Sequence, residues 1–156
     1  MLVSDALSDL GPPLYRYFCG SFPALQAADL TQDCLLRLLE KCRQGKFDPS
    51  RGTLRMYAFG IAHFIRLEHR KEPAWEELVD NQGKDPDLVE RLALRRAIAR
   101  LPEAERAVVL LLVDKDLSLA EIGEILALPL NTVKSHVHRA KRNLREILRQ
   151  EGCRHG

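Results

Sequence analysis

Apolar positions recur along this chain every three to four residues, the repeat of helices with one buried face. Leu30, Cys34, Leu35, Leu38 and Leu39 form such a stripe over about residues 27–43. Leu54, Tyr57, Ala58, Ile61 and Ile65, continued by Glu68, form another over about 53–70. Val108, Val109, Leu111 and Leu112 make a third, and Leu119, Ile122, Ile125 and Leu126 a fourth. The longest stripe is Val133, Val137, Ala140, Leu144 and Leu148. Shorter helices are expected near 14–22 and 87–100. No run alternates like a strand and no hairpin dipeptide separates two such runs. The pattern predicts an all-α protein.

Punctuation divides these helices into two lobes. Residues 44–52 are rich in turn formers and predict a loop. Residues 72–87 break the pattern with Pro73, Asn81-Gln82-Gly83 and Asp85-Pro86, and carry Glu72, Glu76, Glu77, Asp80, Asp85 and Asp87. A flexible linker is expected there, with Trp75 as a local packing anchor. The expected domains are therefore 1–71 and 88–156. In the second, Leu101-Pro102-Glu103 opens one helix. Ser118 and Glu121 form a capping box for the next, in which hydroxyl and carboxylate satisfy amides at the helix start. Pro129 ends that helix and suits the first turn of the following one. The turn falls near Ala127-Leu128.

Charge sharpens the picture. The 156-residue chain is only +2 overall. From Asn131 to Gly156 there are seven Lys or Arg against two acids, and from Pro102 to Leu130 two against six. A short capped acidic helix, a tight turn and a long basic helix with one apolar stripe is a helix-turn-helix, which lays its second helix in the major groove of DNA. The basic residues suit phosphates. A solvated cationic helix explains the charge alone, but not the cap, turn and stripe together.

Composition bounds the rest. Hydrophobic residues are 46% and charged residues 29% of the chain, as in soluble globular proteins. No apolar run nears the roughly 20 residues of a membrane span, and Met1–Gly11 lacks a basic n-region. A cytoplasmic protein without membrane insertion is expected. Cys19, Cys34, Cys42 and Cys153 show no metal-binding spacing; Cys34 reads as a small core residue and Cys153 as an exposed tail thiol. No phosphate-cradling glycine loop, H-E-x-x-H or Gly-x-Ser-x-Gly is present. Neither an enzyme, a metal site nor a cofactor is expected.

Two sets of motifs, in order, resemble a known family. Leu14-Tyr15-Arg16, Asp29-Leu30-Thr31-Gln32-Asp33, Phe47-Asp48-Pro49-Ser50-Arg51-Gly52 and Ile61-Ala62 resemble region 2 of bacterial RNA polymerase sigma factors of the extracytoplasmic-function group. Arg100-Leu101-Pro102-Glu103, Leu117–Ile122 and Thr132–Ala140 resemble region 4. The resemblance covers about residues 14–71 and 95–148. It implies a region 2 bundle and a region 4 helix-turn-helix on a tether, in a factor that directs promoter-specific initiation.

The resemblance also implies site residues. Asp29, Gln32 and Asp33 match the positions that dock on the β′ clamp helices of core polymerase; a helix-start dipole effect also favours the two acids. The β flap is the expected partner of region 4. Phe47, Asp48 and Arg51 match the loop that reads a −10 base, with Arg66 and Arg70 suited to strand phosphates. Phe64 stands where the family usually carries Asn. It either stacks on a base, relaxing −10 preference, or belongs to the core. Thr132, Lys134, Ser135, His136, His138 and Arg139 match −35 readers, with Arg142 nearer the backbone. His136 replaces a common Arg, which weakens that contact and makes it partly pH-dependent. Ala127 replaces a common Gly, costing about 1 kcal/mol if the position needs a positive φ. An anti-sigma factor is an expected partner. The other readings are a DNA-binding regulator that acts without polymerase and a sigma-like decoy that titrates an anti-sigma factor.

Overall fold

The computed structural model describes residues 2–70 and 86–155. The expected linker, with Trp75, lies almost wholly outside these residues. Seven helices are described: α1 Leu2–Cys19, α2 Ala24–Arg43, α3 Leu54–His69, α4 Pro86–Ala99, α5 Glu103–Leu112, α6 Leu119–Leu126 and α7 Leu130–His155. No strand occurs among the described residues, as the periodicity predicts.

The first lobe packs α1, α2 and α3 pairwise. Leu10, Leu14 and Phe18 of α1, Leu30, Cys34 and Leu38 of α2, and Ala58, Phe59, Ala62 and Ile65 of α3 are buried. Tyr17 meets Phe59 edge-on at 5.7 Å, the arrangement that ring quadrupoles favour. Burial pushes the Cys34 thiol up to about 12, and its Sγ lies 3.6 Å from the Ala58 carbonyl. Cys34 is thus a core residue, as expected.

Three expectations need correction here. Helix α1 begins well before Leu14 and runs through Pro12 and Pro13. Burial of Leu10 and Leu14 on one face outweighs two poor helix formers. The α3 stripe includes Phe59 and Ala62, both fully buried, while Glu68 leaves it and receives Arg37 at 3.0 Å. Leu148 ends the α7 stripe at the surface, 36% exposed.

In the second lobe α7 packs on α4, α5 and α6. Val133 and Ala140 of α7 join Ile122, Val108 and Leu111 in the core. Glu105 is also buried, and it accepts a 2.8 Å hydrogen bond from Asn143 across α5 and α7. The two lobes are in contact. Helix α3 packs on α6, and one continuous core joins the two.

Candidate nucleic-acid interface and docking face

The helix-turn-helix is built by local chemistry. Ser118 Oγ accepts the Glu121 amide at 3.0 Å, and Glu121 accepts the Ser118 amide at 3.0 Å, completing the expected capping box. Ala127 terminates α6 in the left-handed region at φ 56°, ψ 46°. The Leu128 amide then donates to the Gly123 carbonyl at 2.8 Å. Gly123 is buried under the turn, where a Cβ would come 2.7 Å from the Leu128 carbonyl oxygen.

Burial of Val133 and Ala140 fixes the rotation of α7. The opposite face is exposed and carries Lys134, Ser135, His138, Arg139, Lys141, Arg142 and Arg145. The Ser135 hydroxyl donates to the Asn131 carbonyl at 3.0 Å. Thr132 and His136 are half-buried. His136 Nδ1 is buried without a partner, so this ring sits at the edge of the cationic face. A helix presenting this face can neutralise phosphates and reach base edges.

In the first lobe the 47–52 loop is set by two devices. The Phe47 ring packs on Tyr57 with centroids 5.5 Å apart. Asp48 accepts from the Ser50 amide at 2.9 Å and its hydroxyl at 2.7 Å, an Asx-type turn. These bonds hold the Asp48 carboxyl below its usual range. Arg51 extends into solvent, its side chain 88% exposed. Phe64 is 66% exposed. That removes the core alternative for it.

In this arrangement Arg66, expected at strand phosphates, faces inward. It is 2% exposed, bound to Glu103 of the second lobe at 2.8 Å and to the Tyr17 hydroxyl at 3.3 Å. Burial pushes the Tyr17 phenol up to about 12, with Arg66 pulling the other way. Arg70 is exposed at the end of α3.

On α2, Asp29 and Gln32 are exposed. Asp33 is half-buried and takes both oxygens to Arg37 at 3.1 Å. Arg37 also reaches Glu68, whose carboxyl these bonds hold below its usual range.

The pattern of residues did not reveal the ionic seam between the lobes. Arg55 donates to Asp114 at 2.9 Å and lies 3.3 Å from Asp116. Thr53, which caps α3, donates to Glu121 at 3.3 Å. The only trace in the sequence is that Arg55 has no acid three or four positions away on its own helix. Among the described residues no His, Cys, Asp or Glu cluster could hold a metal ion. None of their helices is long and apolar enough to cross a membrane.

Known proteins share this design. A family model of sigma-70 region 4 matches residues 91–144. The ECF RNA polymerase sigma factor RpoE of Cereibacter sphaeroides is 34% identical over 133 residues, covering 79% of this chain and 72% of that protein. The ECF sigma factor SigW of Bacillus subtilis is 45% identical over 56 residues, 36% of this chain and 30% of that protein. SigE of Mycolicibacterium smegmatis is 30% identical over 132 residues, 78% of this chain and 51% of that protein. Among solved structures, CnrH in complex with the cytosolic domain of CnrY superposes with a TM-score of 0.76 at 19% identity, covering 95% of this chain and 88% of that one. The sigma factor RpoE of Bartonella quintana, in complex with the anti-sigma factor NepR, gives 0.72 at 22%, covering 94% and 96%. At such identities the structures speak for the fold. The RpoE relative spans most of both chains, and with the region 4 match it settles the family: this chain belongs to the ECF RNA polymerase sigma factors.

Proposed function

We propose that the chain binds core RNA polymerase as a dissociable subunit and directs it to promoters with −35 and −10 elements. The observation that carries this is the free cationic face of α7, held outward by buried Val133 and Ala140 behind a capped turn. Lys134, His138 and Arg139 read the −35 major groove, with Ser135, Thr132 and His136 beside them and Arg142 on the backbone. The 47–52 loop, through Phe47, Asp48 and Arg51, takes an unpaired −10 base. Exposed Phe64 offers it an aromatic face, and Arg70 lies on the strand side. Asp29, Gln32 and Asp33 dock on the β′ clamp helices, and region 4 on the β flap.

An anti-sigma factor holds the chain inactive. Two structural relatives were solved with such a partner or with a cytosolic domain of another protein, which supports this reading. The working compartment is the cytoplasm. The chain supplies binding energy and strand capture, and polymerase supplies the chemistry.

Runoff transcription with purified core polymerase tests the proposal. A transcript of defined start that depends on this chain is expected, together with co-purification of chain and core. A chain that binds promoter DNA but not core is a regulator acting alone. One that binds an anti-sigma factor but yields no transcript is a decoy.

A further inference from the structure

A cavity of about 230 Å³ lies where the ends of α1 and α3 meet α4 and α5. Its charged lining is cationic. Arg66 and Arg70 come from α3, Arg95 from α4 and Arg106 from α5, with His69 beside them and no carboxylate among the lining residues. Glu103 serves both Arg66 at 2.8 Å and Arg106 at 3.6 Å. Arg106 also donates to the Leu101 carbonyl, yet its Nε is buried with no acceptor. Arg70 and Arg95 form no ion pair with any described residue.

This is an unbalanced arrangement. Among the described residues, four guanidiniums face the Glu103 carboxylate, an excess of positive charge around one cavity. Like charges brought together in a partly dry site repel, and a buried N–H without an acceptor carries a desolvation cost. An anion seated between them removes both penalties. Guanidinium forks match phosphoryl oxygens in paired hydrogen bonds. The cavity has several times the room one water needs. Its arginines come as two from the first lobe and two from the second, so one phosphoryl group can face each pair.

We propose that this cavity binds a small diphosphate anion, as inorganic pyrophosphate or as the diphosphate group of a nucleotide. The ligand touches both lobes, so it binds the closed arrangement better than an open one and shifts the population toward it. The site shares Arg70 with the proposed −10 strand contacts and is a point of control on them.

Calorimetric titration of inorganic pyrophosphate into the full chain, in metal-free buffer, tests the site. Saturable binding of one ligand per chain is expected, with a raised unfolding temperature. Arg95→Ala and Arg106→Gln should each weaken binding at least tenfold. Arg149→Ala, on the far part of α7, should leave it unchanged. Unliganded unfolding of Arg95→Ala near that of the parent shows that the loss is not misfolding. Absence of saturable binding overturns the proposal. So does equal affinity for sulfate, or binding by both cavity variants as tight as the parent's. Transcription by a chain that does not bind pyrophosphate sinks this site and leaves the sigma function standing; binding without transcription does the reverse.

Discussion

At the scale of single residues, strain and exposure mark the positions to test. Ala127 is the one non-glycine residue with positive φ among those described. A Cβ in that conformation costs about 1 kcal/mol or a little more. Ala127→Gly should therefore stabilise the chain by about 1 kcal/mol in chemical denaturation. Phe64 makes a different prediction. Stacking an unpaired base on an aromatic ring is worth roughly 1–3 kcal/mol, so Phe64→Ala should weaken open-complex formation at least about fivefold. Phe64→Asn should sharpen the −10 base preference, read by a promoter library; an unchanged preference counts against stacking. His63 gives a pH dependence. Burial, then Arg66, holds its ring below the ordinary histidine value. As the pH falls through roughly 6.5 the unfolded chain takes up a proton that the native chain does not. Stability should fall across that range, and His63→Gln should flatten the slope in urea midpoints measured against pH.

At the scale of elements, the turn between α6 and α7 fixes the angle at which the second helix is offered. Gly123 allows the Leu128 carbonyl to pass at contact distance, and backbone cannot yield to a Cβ at 2.7 Å. Gly123→Ala should cost about 1–3 kcal/mol and weaken −35 binding in a gel shift more than Ser118→Ala, which removes only a cap worth about 1 kcal/mol. This element was also the most legible in the amino-acid sequence. A capping box, a proline and an apolar stripe are all local, and each acts within one turn of helix. The start of α1 was not legible, because Pro12 and Pro13 read locally as a boundary and only the distant partners of Leu10 and Leu14 carry the helix through them. The same holds for Arg66. A cation near a helix end looks like a phosphate contact, and nothing beside it in sequence announces Glu103, 37 positions away.

At the scale of the whole molecule, the closed arrangement and the promoter do not match in size. A shared-core body of this length is about 40 Å across. From −35 to −10 is about 25 base pairs, or about 85 Å of duplex. One body of that size cannot grip both, so on the proposed reading the lobes part when polymerase is engaged. The seam that holds them is ionic as well as apolar, and Asp114 is nearly covered, 8% exposed in its side chain. Arg55→Glu places like charges against Asp114 and Asp116. It should raise the radius of gyration in small-angle scattering at low salt, with added salt reducing the difference. A chain that stays as compact as the parent would show that the apolar contacts alone close it.

Arg37 has a consequence for assembly. Asp33 has both oxygens engaged by Arg37, so the docking proposed there would be an exchange of partners. The guanidinium it releases is also the one steadying Glu68, which lies one helical turn from Phe64. On that proposal, an event on the outer face of α2 would be felt on α3: grip at one place would loosen a carboxylate at the other.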